Sequence, residues 1–122
     1  MRILIVLLLI MFVTPVQAQY EVPAFSTMNF ELISPLQILN KDTGTKYSLM
    51  GLKNPSQNVD LLRQLNQSLA GAEIFCTVYT TGTWCNLKPS DQILAQVIIN
   101  NGLAIEDCEA TQGQFGTCEV DQ

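Results

Sequence analysis

The chain has 122 residues, 48% of them hydrophobic, and a formal net charge of −5. It contains no histidine, which excludes Ser-His-Asp catalysis and histidine-ligated metal sites. After the first eighteen residues its one arginine is Arg63, so a pair of arginines cannot clamp a phosphate. The acidic balance also argues against a nucleic-acid partner, because such binding depends on neutralising phosphates.

The first eighteen residues predict a cleaved signal peptide. Arg2 supplies a positive start, Ile3 to Val13 is an unbroken apolar run, and Val16-Gln17-Ala18 suits a signal peptidase that cuts before Gln19. About eleven apolar residues are too few to span a membrane, which needs about twenty. We therefore expect a secreted or periplasmic protein with no membrane association after cleavage, and we expect it to be a monomer.

Four cysteines would then enter an oxidising compartment: Cys76, Cys85, Cys108 and Cys118. An even count there predicts two disulfides, and the spacing lacks the C-x-x-C pairs of zinc sites. Three connectivities are open, of which pairing 76 with 85 and 108 with 118 is the most local. Each local bridge would close a short loop and contribute about 2.5 to 3 kcal/mol in the chain-entropy model. We therefore expect the fold to be stabilised by disulfides.

The N-terminal half predicts a loose segment followed by a β-hairpin. Residues 19–28 show little periodicity and contain Pro23, which indicates a loose arm or an irregular lead-in strand ahead of a single domain over residues 29–122. Two extended runs follow, separated by the turn-forming cluster Asn40 to Gly44. The proline at Ser34-Pro35 predicts an edge or a bulge. The two runs are Asn29 to Leu39 and Thr45 to Leu52.

The next segment predicts a helix and a second hairpin. Leucines at helical spacing predict a helix from about Gln57 to Ala70, stopped by Gly71. Two runs of strand composition then flank the turn Thr80 to Gly82, and they would place Cys76 and Cys85 on facing strands, which favours their pairing. The leucines of the helix are Leu61, Leu62, Leu65 and Leu69. The strands of the hairpin are Glu73 to Tyr79 and Thr83 to Leu87.

The C-terminal part predicts a second helix and a short strand. The helix opens after Pro89, with Ser90 as N-cap and Asp91 in the first turn, and it ends at Gly102. Leu103 to Ile105 predicts a short apolar strand or tail before an acidic, glycine-containing segment. The apolar stripe of the helix is Ile93, Leu94, Val97 and Ile98.

Three short blocks, in this order along the chain, resemble the thermonuclease-like (staphylococcal-nuclease-like) family. They are Gly51-Leu52-Lys53-Asn54-Pro55-Ser56, Leu69 to Cys76, and Asn101-Gly102-Leu103-Ala104. In that family a strand ends in G-[IV]-D-[AT]-P-E, and a later helix ends in G-[LW]-A. The resemblance covers residues 47–105 and implies an α+β, mainly β fold, a small five-stranded OB-type barrel with two to three packed helices. Secreted members often carry a cysteine pair bracketing the hairpin, similar to Cys76 and Cys85.

The catalytic positions of the family are not matched in this chain. Members that cleave nucleic acid use calcium, a glutamate base and two arginines on the phosphate. Ser48 is found in place of one arginine, Lys53 in place of a metal-binding aspartate, and Ser56 in place of the glutamate. Another metal carboxylate would fall near Ser34-Pro35, and the second hairpin is too short to hold the other arginine. We therefore expect no catalytic residue, metal or cofactor, and hypothesise that the Lys53 ammonium replaces the charge of calcium.

These observations predict a secreted or periplasmic non-catalytic module, a pseudoenzyme on a nuclease-derived barrel, that binds a protein or a small ligand. The alternatives are a divergent calcium-dependent nuclease with an unrecognised active site, and an unrelated disulfide-stapled domain without a closed barrel. Tyr79 and Trp84 form a candidate binding surface, although such residues also fill the cores of small barrels. The acidic run Glu106, Asp107 and Glu109 could ligate calcium, but beside a disulfide it is more typical of a solvated face.

Overall fold

The computed structural model describes residues 23–118. The predicted signal peptide, residues 1–18, and the first residues of the predicted arm lie outside this range. The described chain is mainly β, with three α-helices and two disulfides. In chain order the elements are β1 Ala24–Thr27, β2 Phe30–Ser34, β3 Gln37–Asn40, β4 Thr45–Ser48, β5 Leu52–Lys53, α1 Val59–Leu69, β6 Glu73–Tyr79, β7 Gly82–Lys88, β8 Gln92–Ile93, α2 Leu94–Asn100, β9 Ile105–Glu106 and α3 Cys108–Thr111.

The strands form three sheets with the orders β1-β6-β7-β8, β2-β3-β4 and β5-β9, and neighbouring strands in each are antiparallel. A parallel bridge between Leu49 and Thr83 joins the end of the second sheet to β7, and Met50 N–H donates to the Thr83 carbonyl at 3.1 Å. No closed barrel is found within residues 23–118. The mainly β class and the number of helices are confirmed, and the five-stranded OB-type barrel is not.

The N-terminal strands differ from the sequence prediction. Residues Ala24–Thr27 of the predicted arm form a lead-in strand, the second of the two expectations for this segment, because they pair in register with Ile74–Thr77 of β6. The run predicted from Asn29 to Leu39 is two strands: the register shifts between Leu32 and Ser34, and the chain turns at Pro35-Leu36. Proline has no N–H for a continuing ladder, so the predicted hairpin becomes a three-stranded meander.

Helix α1 confirms the predicted first helix to within two residues at each end. It begins after Asn58, whose Oδ1 accepts the N–H groups of Asp60 and Leu61, each at 3.1 Å, as expected for an N-cap. Leu65 and Leu69 are buried on its inner face. Leu61 and Leu62 are half-buried and pack against the core.

The predicted start of the second helix is wrong. Ser90 and Asp91 lie in the turn between β7 and β8, where Asp91 has a φ of 62° and accepts a hydrogen bond from Lys88 Nζ. A left-handed residue cannot continue an α-helix, so the chain first returns to β7, with Ile93 opposite Asn86. Helix α2 then begins at Leu94 without a side-chain cap.

The core lies where α1, α2 and the β6–β7 hairpin meet the meander. Its most deeply buried side chains are Leu32, Ile38, Ile74, Leu94, Ile98, Leu103, Cys76 and Cys85. The disulfides are Cys76–Cys85, within this core, and Cys108–Cys118, which links α3 to the last described residue. This is the local connectivity, and two disulfides indicate an oxidising environment, extracellular or periplasmic. No helix between residues 23 and 118 has the length and apolar character required to cross a membrane.

Candidate functional site

Residues from two distant parts of the chain meet at one small pocket, which we call the Ser34–Ser56 pocket. The end of β2 contributes Ser34, the β2–β3 turn contributes Pro35, and the segment before α1 contributes Ser56. Its volume is about 190 Å³. The other lining residues are Ile33, Gln57, Asn58, Val59 and Leu62. None of the eight has an ionisable side chain.

The chemistry of the Ser34–Ser56 pocket follows from this lining. Ser56 Oγ accepts the N–H of Asn58 at 3.1 Å, and its own N–H donates to the carbonyl of Leu103 at 2.8 Å. Ser56 therefore shapes the turn into α1 and has no ionisable neighbour in the pocket. Hydroxyls, amides and apolar surface can hold a ligand, but the lining offers no carboxylate to a cation and no group that takes a proton at neutral pH.

A larger groove of about 550 Å³ lies beside this pocket, between β2 and α1, and the two share Ile33, Val59 and Leu62. Arg63 lies in the groove and forms an ion pair with Asp60 at 2.9 Å. Two further charges of the groove also pair with each other, Lys41 with Glu31 at 3.4 Å. Each basic residue of the groove is therefore paired with a carboxylate.

The structure does not bring Ser48 or Lys53 to the Ser34–Ser56 pocket. Ser48 is exposed on β4, opposite Gln37. Lys53, paired with Ile105 in the β5–β9 sheet, lines a separate cleft of about 600 Å³ that we call the Lys53 pocket. Its other lining residues are Ile99, Gly102, Ala104, Ile105, Glu106, Cys108, Thr117 and Cys118.

Glu106 organises the C-terminal segment and is not on a solvated face, because only 2% of its surface is exposed. Its Oε1 accepts the N–H of Thr117 at 3.1 Å and the hydroxyl of Thr117 at 2.7 Å. Its Oε2 accepts the N–H of Phe115 at 2.9 Å and the hydroxyl of Thr111. Burial of the carboxyl raises its pKa, but these hydrogen bonds outweigh burial and lower the pKa to about 2.

A cluster of potential metal ligands surrounds this carboxylate. The sulfurs of Cys108 and Cys118 and a carboxylate oxygen of Glu106 lie within 4.8 Å of one another. The two sulfurs form a disulfide, so neither is a thiolate, which is the form that binds a metal. A carboxylate has about four acceptor positions, and the Glu106 carboxylate accepts four hydrogen bonds. The cluster therefore cannot hold a metal ion as it stands.

Tyr79 and Trp84 lie on the same face of the β6–β7 hairpin but differ in accessibility. Tyr79 is 48% exposed at the end of β6. Trp84 faces Thr77 across the hairpin and is half-buried because its ring stacks on Phe115, with centroids 5.5 Å apart. Tyr79 is open to a ligand, whereas one face of Trp84 is used in packing the C-terminal segment.

Comparisons with protein-family models, curated proteins and solved structures give no match. Function is therefore inferred from the pockets of the structure. Neither spacing nor composition marks Glu106 as the centre of a hydrogen-bond network, since its donors follow it by five to eleven residues. The one local signal is its position next to the apolar run Leu103 to Ile105, which favours burial of a neighbouring side chain.

Proposed function

We propose that this protein is a secreted or periplasmic module that binds a protein or a small ligand without catalysing a reaction. The observation that carries the proposal is the Ser34–Ser56 pocket. The resemblance to thermonuclease-like domains would put a metal carboxylate and the general base at this place, and the lining supplies hydroxyls, amides and apolar side chains instead. A ligand can be bound there, but hydrolysis of a phosphodiester lacks both its cation and its base.

We propose that the fold is a nuclease-derived OB-type barrel that stays open because its strands are interrupted. The strand pairings support it, because they form one open series: β1 with β6, β6 with β7, β7 with the end of β4 through Leu49 and Thr83, β4 with β3, and β3 with β2. Two residues, Met28 and Asn29, separate β1 from β2. If β1 and β2 count as one bent strand, this series has five strands, leaving out the two-residue strands β5, β8 and β9. Helix α1 then lies between the third and the fourth strand in chain order, as in a partly open OB-type barrel.

Location outside the cytoplasm is part of the same proposal. The N-terminal run from Ile3 to Val13 supports export by a signal peptide that ends at Ala18. Both disulfides, Cys76–Cys85 and Cys108–Cys118, would form after export. The protein at its place of action would then be residues 19–122.

The test uses residues 19–122 with both disulfides formed. This protein is incubated in millimolar calcium with single- and double-stranded DNA and RNA, and an active thermonuclease serves as the positive control. We expect no cleavage above the buffer background. Cleavage that a chelator stops would overturn the proposal and establish the divergent nuclease. If the wild type does cleave nucleic acid, the Ser56→Ala variant locates the activity. Loss of cleavage in that variant would assign the activity to the Ser34–Ser56 pocket.

A further inference from the structure

The Lys53 pocket is a cleft of the size that binds small molecules. Its volume of about 600 Å³ lies within the range of roughly 300 to 1,000 Å³ that is usual for ligand sites. Ile99, Ala104 and Ile105 give it apolar walls, and the Cys108–Cys118 disulfide adds a further apolar surface. Such a cleft binds the hydrocarbon part of a ligand through burial of apolar area.

Lys53 is the group of this cleft that can bind the polar end of a ligand. The three ion pairs found within residues 23–118 use Lys41, Arg63 and Lys88, so Lys53 has no carboxylate partner in that range. Its side chain is exposed at the cleft. A lysine beside an apolar cleft can lay its aliphatic stem along the apolar surface and donate hydrogen bonds to a ligand from its ammonium.

The second charged group of the cleft, Glu106, cannot bind a ligand cation. Its four acceptor positions are filled by Thr111, Phe115 and Thr117. An ammonium or a metal ion would have to displace hydrogen bonds that hold the C-terminal segment together. The polar end of a ligand must therefore be an acceptor that Lys53 can bind, and its remainder must be apolar.

We propose that the Lys53 pocket binds a small monocarboxylate with a hydrocarbon chain or ring. The carboxylate accepts hydrogen bonds from the Lys53 ammonium, and the hydrocarbon packs against Ile99 and Ile105. A single lysine suits one carboxylate, whereas a phosphate is usually bound by several donors or by an arginine fork. This inference depends on the proposed function as a binding module and names the class of ligand.

The test is a titration of ¹⁵N-labelled residues 19–122 with octanoate, in which binding is monitored by the amide chemical shifts. We expect saturable shifts at Gly102, Ala104 and Ile105, and much weaker binding of octanol, which has the same chain without the charge. Inorganic phosphate and acetate, tested alone, should leave these amides unmoved. Equal affinity for octanoate and octanol, or shifts confined to the β2–α1 groove, would overturn the assignment.

Matched lysine variants identify which positive charge binds the carboxylate of octanoate. Lys53→Met should weaken octanoate binding by about ten- to a hundredfold, the loss expected for a charge-assisted hydrogen bond, and Lys53→Arg should largely restore it. Lys46→Met is the control, because Lys46 is also exposed and without an ion pair within residues 23–118. Equal weakening by both Met variants would overturn the role of Lys53. A protein that binds no octanoate and cleaves no nucleic acid would refute this inference and leave the proposed function standing.

Discussion

The side-chain amide of Asn66 on α1 binds both backbone polar groups of Leu32 on β2. Its Oδ1 accepts the Leu32 N–H at 2.8 Å, and its Nδ2 donates to the Leu32 carbonyl at 2.8 Å. Strand β2 is an edge of its sheet, and an edge leaves such groups without a strand partner. Asn66 thus takes the place of a neighbouring strand and fixes α1 against the meander.

Replacing Asn66 should therefore destabilise the fold. In Asn66→Ala the N–H and carbonyl of Leu32 lose their partners, and we expect the free energy of unfolding to fall by about 1 to 3 kcal/mol. Thermal and denaturant unfolding measure the change. Gln67→Ala is the control, since Gln67 is the exposed neighbour on the same helix and should change stability by less than about 0.5 kcal/mol. Equal effects of the two variants would contradict the role given to Asn66.

Glu106→Gln tests the carboxylate that organises the C-terminal segment. Glutamine keeps one acceptor oxygen but turns an NH₂ group toward donors from Thr111, Phe115 or Thr117. We expect a loss of about 2 to 4 kcal/mol, because buried donors are left unpaired. Chemical denaturation measures it. The control is Glu109→Gln, at an exposed position on α3, and an equal loss there would show that the network around Glu106 is not responsible.

The pH dependence of stability provides an independent test of the same carboxylate. The pKa of Glu106 is lowered from 4.5 to about 2 on folding, so its contribution is complete above pH 4.5 and is lost as pH falls from 4.5 toward 2. The free energy of unfolding should fall by an amount on the order of 3 kcal/mol as this carboxylate is protonated. Asp42, whose pKa is lowered by hydrogen bonds from Thr27 and Asn29, contributes in the same direction. Between pH 4.5 and 2 the free energy of unfolding should fall more steeply in the wild type than in Glu106→Gln, and the difference between the two slopes is the effect of Glu106. Equal slopes would contradict the assignment.

Local pattern was sufficient to predict the elements whose stability is local. Helix α1 has leucines at helical spacing and a helix-stopping Gly71, and the β6–β7 hairpin has strand composition on both sides of a turn. The facing positions of Cys76 and Cys85 followed from that hairpin. These predictions succeeded because the residues that determine each element lie within a few turns or one hairpin of one another.

Elements whose partners are distant in sequence could not be predicted in this way. Ser90-Asp91 is the exception in distance: it has the composition of a helix start, yet the pairing of Ile93 with Asn86, seven residues earlier in β7, keeps that stretch out of the helix. Strand β1 has weak β character and is formed by its pairing with β6. Asn66 meets Leu32 across 34 positions. In each case tertiary pairing overrides local preference, and the pockets depend on the same long-range contacts.

Removing the second disulfide should release the segment that covers the single tryptophan. Cys108–Cys118 closes the loop that carries Phe115, whose ring stacks on Trp84. We expect Cys108→Ser/Cys118→Ser to lower the free energy of unfolding by about 2.5 to 3 kcal/mol and to shift Trp84 emission to longer wavelength as water reaches the ring. Phe115→Ala, with the bridge intact, should reproduce the emission shift. Unchanged emission in both variants would contradict the packing described for Trp84.

Gly51 is the glycine at which a side chain would meet the C-terminal segment. Its φ is +87°, and an added Cβ would lie 3.0 Å from Thr111 Cγ2 and 3.1 Å from Phe115 Cε2. Gly44 has a similar φ of +76° with open space around it, so Gly44→Ala incurs the backbone strain alone, about 1 kcal/mol. Gly51→Ala should lower the free energy of unfolding by a further 1 to 3 kcal/mol, roughly the cost of overpacking, as measured by denaturant unfolding. Equal losses in the two variants would mean that Thr111 and Phe115 do not pack closely over Gly51.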